Sequence, residues 1–451
     1  MINKNIKNLR KKIDDIDNQL LELIIKRSKV VEKIGKNKDA SKKIVDLNRE
    51  NKILNRLIKL HSGKYPKDSI IRLWREIFFS SVKLQISNKR ILHPKRNIDS
   101  IKLYKGGLSK ISGKRKIIKL SSNESPFGAS KKAINSYKKT SSILSRYPEL
   151  TAESLQIEIG KKFKLNPEQI ICGTGSDEVL IFCALAFCSP GDEIIHARHG
   201  FEMYPIITKY TGAESVIASE IDYKVSINSI LDNISQATKL IFIANPNNPT
   251  GTYLKKSELE FLISKVPKNI IVVIDTAYAE FADAKDYDKS FKFADKYNNI
   301  LITRTFSKAY SLAGLRLGWG YASKELIQIL KKLRPPFNIT PGAIAAGIEA
   351  LKDKKHLKKV VKHNNSIKNW LINELNKFGF KAYKTQSNFV FVLIPEKKGQ
   401  SASIINEYLI SKGIAVRFLR SYGIENGLRI TIGTKTEIKK LIFTLNEFYK
   451  K

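Results

Sequence analysis

The stretch Thr303-Arg304-Thr305-Phe306-Ser307-Lys308-Ala309-Tyr310-Ser311-Leu312-Ala313-Gly314-Leu315-Arg316-Leu317-Gly318 decides how this chain is read. It continues an apolar run, residues 299–303, that reads as a buried strand. Lys308 therefore falls just past a strand end, among small hydroxyls, with Arg316 eight positions on. A lysine so placed suits a Schiff base to a phosphorylated aldehyde, because the amine is held at a sheet edge and the hydroxyls and guanidinium can take the phosphate. One Ser-Lys pair among 81 Lys and Arg residues carries no weight alone, so the reading depends on what else lines up.

Three further stretches supply the remaining parts. Asn245-Pro246-Asn247-Asn248-Pro249-Thr250-Gly251 follows the apolar run 240–244 and reads as a turn at the carboxyl end of a strand, where open α/β sheets place ligands. Asn248 could reach a cofactor ring from there. Asp275 ends the strand 270–274, and a carboxylate at that point can pair with a pyridine nitrogen and keep it protonated; Tyr278, three residues later, can bond the ring's phenolic oxygen. Gly173-Thr174-Gly175-Ser176-Asp177 leads into an apolar helical run and would present backbone N–H groups to a phosphate. Together these parts fit pyridoxal 5′-phosphate.

Residues 115–440 resemble the fold-type I pyridoxal-phosphate aminotransferases, and among them the histidinol-phosphate/aromatic aminotransferase group. The resemblance implies that Lys308 is the Schiff-base lysine and proton shuttle, Asp275 the pyridinium partner, and Tyr278 with Asn248 the ligands of the phenolic oxygen. It assigns the phosphate to Ser176, Ser307 and Arg316 with Thr305 nearby, ring stacking to Phe201, and the substrate carboxylate to Arg429 in the run Leu428-Arg429-Ile430-Thr431-Ile432-Gly433. Tyr147, in Arg146-Tyr147-Pro148, resembles the tyrosine that reaches the phosphate of a neighbouring subunit, which implies a homodimer. Ser122-Asn123-Glu124-Ser125-Pro126-Phe127-Gly128 resembles the segment lining the substrate pocket. Two departures from the family pattern are Thr276, where a glutamate is expected, and Phe201, where some relatives carry tyrosine; neither removes a group that transamination needs.

The first ninety residues follow another pattern. They lack proline before Pro66 and carry Ile6, Leu9, Ile13, Ile16, Leu20, Leu23, Val30, Val31 and Ile34 at helical spacing, read as one buried stripe. Arg27 and Lys38 fall on that stripe. Charges on an apolar face are expensive unless an anion meets them. A second helix from Asp46 aligns Asp46, Arg49 and Glu50 with Ile53 and Leu57, and a third from Ser69 aligns Trp74, Ile77, Ser81 and Gln85. The pattern describes a polar pocket for a small polyanion and resembles, over residues 5–86, the all-helical bacterial chorismate mutases. That resemblance implies that Arg10 comes from a partner chain and joins Arg27 and Arg49 on the two carboxylates. Asp46, Glu50 and Ser81 would then hold the hydroxyl side, and Lys38 and Gln85 would donate to the ether oxygen. A pyruvate lyase acting on isochorismate shares the scaffold, and a solvated dimerisation or regulatory helix pair is the non-catalytic alternative.

These readings imply a multidomain chain: an all-α three-helix domain at 1–88, a polar basic linker at 89–115, and an α/β aminotransferase of fold-type I at 116–451. The last would comprise a large, mostly parallel-sheet domain at about 146–345 and a smaller α+β domain from 116–145 and 346–451. The 451 residues, 42% of them hydrophobic, suffice for this. A formal net charge of +39 invites a nucleic-acid reading, but the lysines are spread along the whole chain and no recognition module accompanies them; a positive field attracting carboxylates and phosphates is the plainer consequence. Cys172, Cys183 and Cys188 lie in apolar runs without metal spacing and read as reduced core residues. No run is long enough to span a bilayer and no leader-like apolar segment opens the chain, so the expectation is a soluble cytoplasmic enzyme without membrane or specific nucleic-acid partners. The function implied is bifunctional: chorismate to prephenate, then transamination of prephenate or an aromatic 2-oxo acid with glutamate as common donor. The rival substrate is histidinol phosphate, with Arg417 on its phosphate; Arg417 could equally take a second carboxylate.

Overall fold

The computed structural model describes residues 2–37, 46–85, 95–101, 103, 104, 106–108, 117–396 and 399–450, which fall into two units, Met1–Ser100 and Ile101–Lys451. The first is helical: α1 (Ile2–Asn37), α2 (Leu47–Leu60) and α3 (Lys67–Gln85), then one short turn, Arg96–Asp99. Asp46 starts α2 as its N-cap, its side chain accepting from Arg49 N at 3.0 Å. Both α1 and α2 pack on α3. The buried residues are Val31, Leu54 and Phe78, together with Glu50 and Ser81.

The stripe on α1 differs from its sequence reading. Val31 is buried, but Ile6, Leu9, Ile13, Ile16, Leu20, Leu23, Val30 and Ile34 are exposed, Leu23 to 61%. Length explains this: 36 residues at 1.5 Å each give about 54 Å, against about 29 Å for the 19 residues of α3, so one copy of the unit cannot cover its own first helix.

The strands of the second unit are, in chain order, β1 (Ile118–Leu120), β2 (Ile170–Gly173), β3 (Glu193–Ala197), β4 (Glu214–Ala218), β5 (Glu220–Ile221), β6 (Lys224–Val225), β7 (Thr238–Ala244), β8 (Ile271–Asp275), β9 (Ile300–Thr305), β10 (Gly318–Ala322), β11 (Lys381–Ala382), β12 (Phe389–Leu393), β13 (Ile414–Phe418) and β14 (Gly427–Thr431). Seven form a sheet in the order β2-β10-β9-β8-β7-β3-β4, in which β10 runs antiparallel to both neighbours and the rest are parallel. Both faces are covered, so the central strands are apolar throughout: Ile241, Ile243, Val272 and Ile274 enter one core, while Leu240, Phe242, Ile271 and Val273 enter the other. A smaller sheet, β1-β13-β14-β12-β11, has its own aliphatic core under the helices Lys354–Lys377, Ala402–Ser411 and Lys435–Tyr449. Architecture therefore follows the expected α/β plus α+β plan. The helix Lys131–Lys139, expected with the smaller part, instead packs on the helix Pro341–Lys352 and sends Ala133 into the core of the large sheet.

This topology brings three strand ends together. The loops after β7, β8 and β9 leave the same edge of the sheet, which carries Asn245–Gly251, Asp275–Tyr278 and Thr305–Lys308 to one place. Beside them β10 starts at Gly318, pressed against the amino end of the helix Ser176–Phe187; a Cβ on Gly318 would lie 2.2 Å from Ser176 N. Backbone cannot yield as a flexible side chain can. Gly318→Ala is therefore expected to destabilise the cofactor-free protein by about 2 kcal/mol or more, read by denaturant unfolding; a loss no larger than for Ala at the open position Gly314 would contradict the close approach.

Candidate active site

The edge formed by β7, β8 and β9 opens into a cavity of about 490 Å³, closed on the other side by residues of β13 and β14. Lys308 points into it, its Nζ 5.9 Å from the Tyr278 ring centre and 3.3 Å from the Ser122 carbonyl oxygen. Burial, and then the neighbouring Arg429 guanidinium, bring the amine down to about 8. Asp275 is buried at the end of β8. Thr303 Oγ1 donates to its Oδ1 at 3.0 Å and Tyr204 OH to its Oδ2 at 3.2 Å, yet burial dominates and pushes the carboxyl up to about 6. Tyr278 is also buried, which takes its phenol up to about 12, and its oxygen accepts from Asn123 Nδ2 at 2.9 Å.

A second group of side chains surrounds the start of the helix Ser176–Phe187. Its N-cap is Gly175, at φ +86° and without a side-chain cap, so the first-turn amides are left for an anion. Arg316, itself at φ +48°, donates from Nη1 to Ser307 Oγ at 3.3 Å and pairs through Nη2 with Asp177 at 3.2 Å. A Cβ on Gly175 would lie 2.6 Å from that Nη2, so glycine is what admits the guanidinium. Thr305 supports the turn by accepting from Ser307 N at 3.1 Å.

The third group lies on the smaller sheet. Arg417 and Arg429 are directly opposite on β13 and β14, and both line the cavity. Arg417 pairs with Glu202 at 2.8 Å. Arg429 is 5% exposed and, among the described residues, bonds only neutral acceptors: Nη1 to Asn248 Oδ1 at 2.5 Å and Nη2 to the Ser121 carbonyl at 2.7 Å, with Nε unpartnered.

Comparison with known proteins gives the setting. A family model for class I and II aminotransferases matches residues 115–445, most of the chain. The chain belongs to that family. A second model, chorismate mutase type II, matches residues 9–86, so a chorismate mutase domain precedes the aminotransferase on one polypeptide. The histidinol-phosphate aminotransferases of Pelagibacter ubique and Paramagnetospirillum magneticum are 42% and 40% identical, each covering 79% of this chain and 99% and 98% of the relatives. A solved structure of histidinol-phosphate aminotransferase from Sinorhizobium meliloti, in complex with pyridoxal-5′-phosphate, superposes with a TM-score of 0.72 over 81% of this chain and 99% of its own at 22% identity, a likeness of fold.

Pyridoxal phosphate is the cofactor of the aminotransferase, and the cavity fits it. An uncapped helix end with Arg316 beside it suits a dianionic phosphate, and a buried carboxylate with a lysine facing it across the cavity suits the ring. Of the residues singled out in the sequence, Ser176, Phe201, Asn248, Asp275, Tyr278, Thr305, Ser307, Lys308, Arg316, Arg417 and Arg429 line this one cavity. Tyr147 does not: it is 83% exposed and stacks on Phe337. Several lining or supporting groups were missed. Tyr104, Gly106 and Gly107 line the cavity although they fall in the stretch read as linker. Tyr204 carries no local signature, but Thr303 lies two residues before Thr305 on one strand, and face alternation could have found it.

In the chorismate mutase domain, Arg27 Nη1 donates to Ser81 Oγ at 2.5 Å, with the guanidinium 5.7 Å from the Phe78 ring centre. Burial lowers the Arg27 pKa. Glu50 is buried on α2, Asp46 spends a side-chain oxygen on its cap, and Arg10 and Arg49 are exposed. Lys38 and the side chain of Gln85 lie outside the described residues.

The lysine yields a pH dependence. An amine held near 8 sheds its proton in the folded protein before it would in the unfolded chain, so folding gains stability as pH rises from about 8 toward the ordinary lysine range, and the neutral amine is available from about 8 upward. Capture of pyridoxal phosphate by cofactor-free protein should accelerate about tenfold per pH unit below 8 and level off above it, followed by stopped-flow absorbance. Arg429→Gln should move the inflection upward; an inflection in the ordinary lysine range in the unaltered protein would rule out this environment for the reacting amine.

Proposed function

We propose that the helical domain rearranges chorismate to prephenate and that the aminotransferase passes an amino group from glutamate to prephenate or an aromatic 2-oxo acid, in aromatic amino-acid synthesis. The observation that carries the substrate reading is the opposed pair Arg417 and Arg429. Glu202 already balances Arg417, while Arg429 bonds an amide oxygen and a carbonyl, so Arg429 is the cation open to a carboxylate and Arg417 stands opposite it as a second donor. Glutamate and prephenate each bring two carboxylates, so donor and acceptor can use the same two arginines in turn. Histidinol phosphate, which has a phosphate and no carboxylate, is the second reading, favoured by the names of the relatives at about 40% identity.

Bound pyridoxal phosphate supplies the carbonyl that takes up the amino group and the ring that accepts the electron pair left on the substrate Cα. The remaining work is assigned to the chain. Arg429 fixes the α-carboxylate and so the orientation of the Cα–H bond. Lys308 Nζ, brought down to about 8 in this environment and so readily deprotonated, takes the Cα proton and returns it. Asp275, kept in place by Thr303 and Tyr204, would hold the proton on the ring nitrogen. Tyr278 and Asn248 would hold the phenolic oxygen, Phe201 the ring face, and Ser176, Thr305, Ser307 and Arg316 the phosphate. Tyr147 would reach the phosphate of the partner subunit, which its exposure permits.

For the mutase step the rearrangement is pericyclic, so holding the reactive conformer and stabilising charge on the ether oxygen suffice. Arg27 and Arg49 would bind carboxylates, Asp46, Glu50 and Ser81 the hydroxyl side, and Lys38 and Gln85 the ether oxygen. Arg10 and Arg27 are 17 positions apart on one helix, about 25 Å, which supports a reading in which Arg10 serves a second copy's pocket. The exposed stripe of α1 supports a homodimer for the same reason. Among the described residues no helix is long and apolar enough to cross a membrane, and three buried free thiols accord with a reducing cytoplasm.

Two experiments test these assignments. The pyridoxamine form of the enzyme, mixed separately with prephenate, phenylpyruvate and imidazole-acetol phosphate, should regain aldehyde absorbance fastest with prephenate; return with imidazole-acetol phosphate alone would transfer the enzyme to the second reading. Arg10→Ala and Arg27→Ala should each lower chorismate turnover by roughly 100-fold or more. After joint refolding, half the dimers are mixed and each has one intact site, so about a quarter of the activity should return. Undiminished turnover in both variants would remove the two arginines from the site, and an unaltered protein that does not consume chorismate would make the helices a non-catalytic module.

A further inference from the structure

Asn123 occupies a position few residues could fill. It is 2% exposed and lies at φ +56°, where asparagine is tolerated and most side chains are strained. Each of its polar groups is used. The backbone N–H donates to Thr431 Oγ1 at 2.9 Å, and the carbonyl accepts from Asn388 Nδ2 at 2.9 Å. Oδ1 accepts from Thr431 Oγ1 at 3.1 Å, and Nδ2 donates to Tyr278 OH at 2.9 Å.

The orientation of that amide has a chemical consequence. A phenol has one proton to give, and if Asn123 Nδ2 donates to its oxygen, the proton is left for the cavity side. With the amide turned over, Tyr278 would give its proton to Asn123 Oδ1 and show a lone pair to the cavity. Thr431 favours the first: its Oγ1 accepts from the Asn123 N–H and gives its own proton to Oδ1, whereas the turned-over amide would leave that proton without this acceptor, so the oxygen stays on the Thr431 side and the NH2 group on the Tyr278 side. We infer that Asn123, held by Thr431, is a positioning residue that compels the Tyr278 hydroxyl to donate to the cofactor's phenolic oxygen. Burial keeps the phenol protonated at neutral pH, as this requires.

Thr431 lies two residues after Arg429 on β14, so the strand that presents the substrate-facing arginine also anchors this hydrogen-bond chain. Neither aspartate nor glycine, the other residues most at ease with this backbone, would serve at position 123. Aspartate tolerates the backbone but can only accept, so it would draw the Tyr278 proton away from the cavity. Glycine tolerates the backbone and provides neither group.

The inference rests on the proposed placement of Tyr278 against the phenolic oxygen, and the test separates the two. A donor to that oxygen makes it less basic and lowers the pH at which the bound cofactor's absorbance changes; losing the donor raises that midpoint. In the full-length holoenzyme, Tyr278→Phe, Asn123→Asp and Asn123→Gly should each raise the spectral midpoint, Tyr278→Phe by about one pH unit or more. Asn123→Asp combined with Tyr278→Phe should move it no further than Tyr278→Phe alone. Cofactor content and melting temperature report folding of each variant, and Asn123→Gly, which suits the backbone, covers the case in which Asn123→Asp fails to fold. A midpoint moved by Tyr278→Phe but not by Asn123→Gly, or shifts that add in the double variant, would overturn the role of Asn123 alone. No movement in Tyr278→Phe would overturn the placement of Tyr278 and the inference with it.

Discussion

A guanidinium buried without a carboxylate beside it is the constraint around which the aminotransferase unit is arranged. Arg429 is held at the middle of β14 by an amide oxygen and a main-chain carbonyl, and neither cancels its charge. Desolvating such a group is costly, and the cost persists until an anion arrives. The same field helps bring Lys308 down, so the residue proposed to grip substrate also prepares the amine proposed to work on it. A site so unfavourable in its empty form needs a rigid frame. The parallel strands provide it, with aliphatic side chains filling both faces of the larger sheet and a separate core under the smaller one.

The two halves of the chain represent different ways of lowering a barrier. The helical domain belongs to a class whose reaction needs no nucleophile, so a few cations and a shaped pocket are enough. The aminotransferase must move a proton to and from carbon, and it combines a cofactor with a lysine whose basicity is set by burial. Both parts handle small anions, and the excess of 81 basic over 42 acidic residues gives the whole molecule a field that concentrates them.

What the sequence revealed, and what it hid, follows the range of the interactions. Lys308, Asp275, Tyr278, Asn248 and Arg316 were legible because each stands at a fixed offset from a strand or turn with its own local grammar. Asn123 was legible only as part of the pocket-lining stretch 122–128, and Tyr204 and Tyr104 not at all, since their roles come from contacts such as Asn123 with Thr431, more than three hundred positions away, which no periodicity reports. The α1 stripe was legible as apolar and helical, but sequence spacing does not tell which molecule covers it. The stretch 89–115 read as a polar, basic linker, yet the cavity reaches back to Tyr104, whose place in a pocket no apolar periodicity announces.

The exposed stripe of α1 also bears on how the protein is made. Being ahead of the aminotransferase in the chain, α1 leaves the ribosome while the sheet that follows is still being translated, and it leaves with leucines and isoleucines facing water. Neighbouring ribosomes on one message hold such helices close together at high local concentration. Pairing of nascent chains would bury the stripe before the slower, long-range pairing of the parallel sheet begins, and would spare the cell a long-lived sticky monomer.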